Sequence, residues 1–434
     1  MRDNLRSEKP LSKIGILSLG CPRNLVDSEN ILGLVKSKGY PIVDIDKADV
    51  AIINTCSFIE EARLESIEAI LDLAALKKEG RLKKIIVYGC LPQRYRSILK
   101  KELPEVDAFV GRVSFPAYGG IPLGRENHSL DRFAITPRHY AYLKICEGCV
   151  NNCSFCVIPK IKGRFSSLDI ESLLNKEDEF HKARLAEINI IGQDITGYGM
   201  DLYGKPRLAE VLERIVKEVK NIGWIRLLYL YPSRITDELL ALIRDYPGVC
   251  KYIDLPVQHI NDRILKLMRR HTKKQDIIKL IDRIRKTIPG VFLRTSIIVG
   301  FPSETDKEFR ELVRFIEEAR FESLGAFIYS REEGTKAFNL KVQMPKKVKI
   351  ERFNLVMSLQ QQVSQDINKN LQGRTLDVLI DQKSQDYYLG RTQYDAPEVD
   401  GQVFVNSERK LKAGDFVRVK ITDTLEYDLV GEAV

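Results

Sequence analysis

Three apolar runs punctuate the N-terminal part of the chain: IGILSLGC ending at Cys21, DVAIINTC ending at Cys56 and KIIVYGC ending at Cys90. Nearly continuous hydrophobicity over such short stretches predicts strands buried on both faces, as in a parallel sheet. Between them, SENILGLVKSKGY and ARLESIEAILDLAALKK repeat apolar residues at helical spacing. The cysteines are 35 and 34 residues apart, which fits one β-α unit each and predicts an open, doubly wound parallel sheet.

From about 140 to 340, strand-like runs again alternate with helical ones: EINIIGQDITGYG, WIRLLYLYPS, YIDLPVQHI, FLRTSIIVGFPSET and LGAFIYS. This alternation predicts a parallel α/β barrel with its working residues at the C-terminal strand ends. Val356, Leu359, Val363 and Ile367 then share one helical face, and the helix is expected to end near Gly373. Beyond it TLDVLIDQ, YYLGRTQ, GQVFVN, DFVRVKITD and YDLVGEAV are short alternating runs, as in a small antiparallel β-barrel. The expected division is a polar N-terminal extension (1–11), a sheet domain (12–125), the α/β barrel (135–343), a connecting helix (344–368) and a C-terminal module (369–434).

A length of 434 residues accommodates several such domains. No apolar run approaches the roughly 20 residues needed to cross a bilayer, so no membrane association is expected. The opening MRDNLRSEKPLSK has no apolar stretch or cleavage site of a secretory signal, which predicts a cytoplasmic protein. Thiols are reduced there, so the eight cysteines point to metal, cluster or catalysis before disulfides. The net charge of +9 is a weak argument for nucleic acid.

Parallel strands deliver their C-terminal ends to one edge, so Cys21, Cys56 and Cys90 are expected to converge. Any one of them alone reads equally well as a small buried hydrophobe. Three at matching strand ends favour a ligand set, and three thiolates without a nearby histidine suit an iron-sulfur cluster with one open iron better than a closed zinc site. The stretch KICEGCVNNCSFCVIPK holds four more cysteines, Cys146, Cys149, Cys153 and Cys156. Taken whole, its spacing supplies four thiolates for zinc or a closed cluster; taken from Cys149 it is C-x3-C-x2-C with Phe155 before the last cysteine.

That second form resembles the signature of the radical S-adenosylmethionine (SAM) enzymes. With LGCPRNLVDSE, NTCSFIEEARLES and YGCLPQR around the first triad, nearly the whole chain resembles the radical SAM methylthiotransferase family. The flanking residues are closest to the branch that modifies an aspartate of small ribosomal subunit protein twelve, rather than the branch that modifies a tRNA adenosine. The resemblance implies a partial TIM-type barrel, a TRAM domain at the C-terminus and two [4Fe-4S] clusters. Cys149, Cys153 and Cys156 would hold the cluster that binds SAM, whose reductive cleavage gives a 5'-deoxyadenosyl radical. Cys21, Cys56 and Cys90 would hold the cluster that carries or donates sulfur. Cys146 is expected to be a structural thiol at a strand end.

Weaker candidates sit at the other barrel strand ends: Gly192, Gln193 and Asp194, Tyr231 and Pro232, Gln258 and His259, and Gly300 and Glu304. The resemblance places Gln193 and Asp194 near the methionyl part of SAM and Gly300 to Glu304 near its adenine. A turn and a helix start explain Gly300 to Glu304 equally well, and His259 reads as an ordinary strand-end histidine. KLMRRHTKKQ is the densest basic run, a solvated face or an RNA contact. From residue 369 onward acids outnumber bases by three, leaving +12 on the rest, so the module is expected to meet a basic protein. An external electron donor and a sulfur donor are implied, and a monomer is expected because the site needs no second chain. The alternatives are the same chemistry on tRNA and a non-enzymatic zinc or iron-sulfur RNA-binding protein.

Overall fold

In the computed structural model the chain is described for residues 11–112, 117–118, 121–122, 132–174, 185–219 and 221–434. All of the polar extension except Leu11 therefore lies outside the described residues, as does 123–131. The chain divides into two compact units, Met1–Ile135 with Lys160–Gly163, and Thr136–Pro159 with Arg164–Val434.

Four parallel strands build the first unit: β1 (Ile14–Ser18), β2 (Val50–Thr55), β3 (Lys84–Gly89) and β4 (Ala108–Gly111), in that lateral order. Outside β1 the chain at Ile42 makes one further parallel bridge to Ile14, with Ile14 N–H donating to Pro41 O at 2.8 Å and Val43 N–H to Ile14 O at 3.0 Å. Counting that bridge as a strand, the chain passes outward from β1 and then returns across it to β2. This reversal makes the sheet doubly wound, with its switch point between β1 and β2. The packing agrees. Helix α1 (Pro22–Ser37) sets Ile31 and Val35 against Ile14, Ile52 and Ile86 on one face. Helices α2 (Glu60–Lys78) and α3 (Cys90–Glu102) set Ile70, Leu73, Leu91 and Leu99 against Ala51, Ile53, Ile85 and Val87 on the other.

The second unit has six parallel strands in two hydrogen-bonded sets: β5 (Tyr140–Lys144), β6 (Glu187–Ile191) and β7 (Trp224–Leu227), then β8 (Tyr252–Asp254), β9 (Phe292–Val299) and β10 (Ser323–Ile328). Backbone bonds from Cys250 N–H to Ile225 O and from Leu230 N–H to Asp254 O join the sets. The result is a partial barrel of six strands, two short of a closed TIM barrel. Its outer helices are amphipathic, and α4 (Leu208–Glu218) buries Leu208, Val211, Leu212 and Ile215 in the common core. Thr305 caps α5 (Asp306–Ala319) with a reciprocal bond from Glu308.

Helix α6 (Lys346–Lys369) follows, burying Val356 and Val363 as its apolar stripe predicts, but also Arg352 and Gln360. The C-terminal module is a closed barrel of β11 (Thr375–Lys383), β12 (Tyr388–Thr392), β13 (Val403–Asn406), β14 (Phe416–Thr424) and β15 (Leu429–Ala433). All its pairings are antiparallel except β13 with β15, which run parallel.

Residues 391–400 of this module are bonded to the N-terminal ends of the barrel strands. Arg391 pairs with Glu187 at 2.7 Å and holds Asp381 through Nε and Nη2 at 2.8 and 2.9 Å. Arg226 donates to Glu187 at 2.9 Å and to Gln393 O at 2.6 Å. Asp400 accepts from Tyr252 Oη at 2.7 Å, Ser323 Oγ at 2.8 Å and Arg294 Nε at 3.3 Å. The acidity expected to attract a basic partner is thus partly consumed inside the protein: Asp381, Asp395, Glu398 and Asp400 all have intramolecular partners. Counting charges along the sequence treats every acid as solvated and unpaired, whereas Asp381, Asp395 and Asp400 are partly buried and all four are bonded within the protein.

Removing one member of a buried ion network strands the others without compensation, which costs about 3–5 kcal/mol. Arg391→Met is therefore expected to lower the stability of the second unit by that order, read as a reduced urea midpoint, whereas Lys410→Met on the exposed module surface leaves it unchanged.

Candidate active site

In the first unit the switch point brings strand ends and helix starts together. Cys21 ends the turn after β1 and caps α1, where its carbonyl accepts from Asn24 N–H at 2.8 Å. Cys56 follows β2 directly, and its N–H donates to Ser66 Oγ at 3.1 Å. Cys90 is the first residue of α3. Asn24, fully buried, ties the three ends together. Its Nδ2 donates to Leu19 O and Thr55 O, both at 3.2 Å, and its Oδ1 accepts from Cys90 Sγ at 3.8 Å and Lys162 Nζ at 3.4 Å.

Gly20 is required between β1 and Cys21. Its φ is +86°, and a Cβ there would stand 2.7 Å from Cys56 Cβ and 3.1 Å from Cys56 Sγ. The three thiols feel one another. Burial pushes Cys56 up to about 12, with Cys90 and Cys21 adding to the rise. Burial likewise raises Cys90, against Lys162 and Arg112. At Cys21 burial also opposes ionisation, but Arg23 and Lys162 overcome it and bring the thiol down to about 7; Arg23 Nε lies 3.4 Å from Sγ. Helix N-termini at Cys21 and Cys90 favour thiolates as well. A cationic centre that takes up three thiolates is what this donor set fits.

In the second unit Cys149, Cys153 and Cys156 lie on the half-buried loop after β5. Ser154 pins that loop: its N–H donates to Met268 O at 2.9 Å and its Oγ to Leu267 O at 2.7 Å. Phe155 packs beside Ile264, Met268, Phe301 and Tyr329. Asn151 donates to Cys149 Sγ from both its backbone N–H and its Nδ2, each at 3.4 Å. Burial, with Asp194 adding to it, raises Cys149 to about 11, and the Asn151 bonds oppose that rise. Among the described residues no group of three or more Cys, His, Asp and Glu side chains is spaced to grip a single metal ion.

The remaining candidates divide. Asp194 accepts from Asn151 Nδ2 at 2.6 Å, from Thr196 N–H at 3.0 Å and from Arg234, so it braces Asn151 and through it Cys149. Gln193 donates to Glu147 at 3.1 Å and keeps a buried Oε1 that has no partner among the described residues. Glu304 is 3 % exposed, and both its carboxylate oxygens are occupied: Oε2 accepts from Gly300 N–H at 3.0 Å and Phe301 N–H at 3.3 Å, and Oε1 pairs with Arg352 of α6. Glu304 therefore shapes the Gly300 turn, and the connecting helix serves that turn through Arg352. His259 is fully buried, its ring is pushed down to about 3 by burial, and its Nδ1 accepts from Asn261 N–H at 3.0 Å, a structural histidine. Tyr231 lies under two guanidiniums, Arg270 at 4.0 Å and Arg234 at 4.6 Å from its centroid.

Cys146 stands apart. It is 2 % exposed on a two-residue strand, its thiol is raised well above the ordinary range by burial, and its Sγ donates to Asp194 O at 3.8 Å. Sequence reasoning missed Asn24, Lys162, Asn151, Arg234 and Arg270. Asn24 and Asn151, at three and two positions after a cysteine, were within reach of it.

Two substitutions separate these roles. Gly20→Ala forces a Cβ into Cys56 and is expected to lower the iron that reconstitution loads, by colorimetric assay. Cys146→Ala is expected to keep full iron and activity.

Three family models match successive stretches of the chain. Residues 13–111 match the model of the uncharacterized protein family UPF0004, 143–316 that of the radical SAM superfamily and 373–434 that of the TRAM domain. The chain is 46 % identical to the ribosomal protein uS12 methylthiotransferase RimO of Clostridioides difficile (strain 630), over 97 % of this chain and 99 % of that one. It is 47 % identical to the protein of that name from Thermoanaerobacter sp. (strain X514), over 97 % and 100 %. In fold it resembles the radical SAM methyltransferase TsrM from Kitasatospora setae, with a TM-score of 0.54 at 12 % identity, covering 88 % of this chain and 80 % of that one. With such identity sustained along both chains, this protein belongs to the RimO family of radical SAM methylthiotransferases.

Proposed function

We propose that this chain inserts sulfur and a methyl group at the β-carbon of an aspartate residue of small ribosomal subunit protein uS12. The observation that carries the proposal is the second thiol triad. Radical chemistry needs only Cys149, Cys153 and Cys156, whereas Cys21, Cys56 and Cys90 form an independent donor set at the switch point of a separate sheet. The relatives named above, nearly half identical to this chain, are uS12 methylthiotransferases by name.

In this reading each triad holds one [4Fe-4S] cluster. When bound, these groups supply the reductive cleavage of SAM and the sulfur to be transferred. The chain's own residues do the positioning. Asn151, braced by Asp194 and Arg234, orients Cys149, and Asn24 holds the Cys90 strand end to those of Cys21 and Cys56. The unpartnered Oε1 of Gln193 is assigned to SAM, while Asp194 and Glu304 shape the site from behind it. Phe155 fixes the loop by packing. The domain limits are taken as 12–125, 135–343, 344–368 and 369–434, and the enzyme as a cytoplasmic monomer that draws on external electron and sulfur donors.

The two triads then fail differently. Cys149→Ala is expected to abolish 5'-deoxyadenosine formation, and Cys21→Ala to leave it while ending sulfur insertion. Equal cleavage by the two variants would contradict the division of labour.

A further inference from the structure

Among the described residues, each of the other deeply buried arginines of the second unit has a carboxylate. Arg226 has Glu187, Arg391 has Glu187 and Asp381, and Arg352 has Glu304. Arg270 departs from the pattern. It is 8 % exposed, yet among the described residues no carboxylate pairs with it, and its Nε has no hydrogen-bond partner. Its guanidinium stacks on Tyr231, donates through Nη2 to Pro256 O, and places Nη1 3.9 Å from Cys153 Sγ.

A buried cation without a counter-charge is costly and persists only where something negative offsets it. The sulfur that its Nη1 reaches belongs to Cys153, and the geometry is built rather than incidental. The Ser154 bonds to Leu267 O and Met268 O lock the cysteine loop to the C-terminal end of the helix Asp262–Leu267. Arg269 then turns the chain at φ +57° and stays exposed, and Arg270 points inward with its N–H bonded to Leu265 O at 2.9 Å. Arg234, the other guanidinium over Tyr231, is already neutralised by Asp194.

We propose that Arg270 is the resident counter-cation of the thiolate-held cluster at Cys149, Cys153 and Cys156, and that its charge eases electron entry there. The inference rests on the assignment of that triad given above and adds a residue to it. Reduction makes the cluster one unit more negative, so a fixed positive charge beside one of its sulfurs stabilises the reduced state more than the oxidised one. A hydrogen bond to a ligating sulfur acts in the same direction. Arg270 therefore belongs to the basic run KLMRRHTKKQ by sequence and to the cluster by position.

The test uses the Cys21→Ala, Cys56→Ala, Cys90→Ala background, so that only one triad remains, reconstituted with iron and sulfide and titrated without SAM by electron paramagnetic resonance. Adding Arg270→Gln is expected to retain iron and shift the midpoint to a more negative potential. Arg270→Lys, which keeps the charge but not the fork, is expected to stay close to the background value. Iron retained by the Lys variant but lost from the Gln variant would also support the charge role. Equal midpoints in the background and Arg270→Gln would overturn the proposal, as would loss of iron from both variants, which would make Arg270 a brace. If the triple-alanine background itself loads no iron, the assignment of the Cys149 triad fails first, and the proposal with it.

Discussion

Thiols must ionise to hold iron, and burial opposes that ionisation. This tension organises both candidate sites. At the switch point of the sheet, burial drives Cys56 up to about 12 and raises Cys90, while Arg23 and Lys162 bring Cys21 down to about 7. The helix starts at Cys21 and Cys90 add their N-terminal partial charge on the same side. In the barrel the same tension is met by hydrogen bonds to Cys149 from Asn151 and by the Arg270 guanidinium beside Cys153. The surroundings lower the cost of three thiolates without removing it, and a cationic centre held there would make up the rest.

Parallel strands are the means by which distant cysteines meet. Each β-α unit of the first domain returns its strand end to the same edge, and the reversal between β1 and β2 opens space at that edge. Gly20 and Asn24 then close the gap that strand geometry leaves, one by lacking a Cβ and the other by bonding to two strand ends at once. The opposite end of the six-stranded barrel is treated differently. There Glu187, Arg226, Arg294, Asp400 and Arg391 form a buried ionic layer with the C-terminal module. Such layers stabilise less than their charges suggest, but they leave each partner few alternatives and so hold the module in one register against the strands.

Much of the architecture could be read from apolar periodicity. The runs ending at Cys21, Cys56 and Cys90 became strand ends, and the alternation from 140 to 340 became a parallel barrel. The stripe on Val356 and Val363 became a helix. Periodicity reports only which face is apolar, so it could not show that Arg352 of that helix reaches Glu304. Nor could it show that Asp395 and Asp400 of GRTQYDAPEVDG turn inward, because charge counting has no term for burial. Arg270 was hidden for the opposite reason, since five basic residues in ten look like a solvated surface until the fold singles one out.

If the two thiol triads together serve a reaction on a ribosomal protein, the transferred group must end on that protein. The reconstituted, reduced protein would be incubated without oxygen with methyl-labelled SAM, ribosomes and bulk tRNA together, and the label located by mass spectrometry. A methylthio group on an aspartate of uS12 is the predicted result. Label on a tRNA adenosine instead would show that the two triads serve a different substrate.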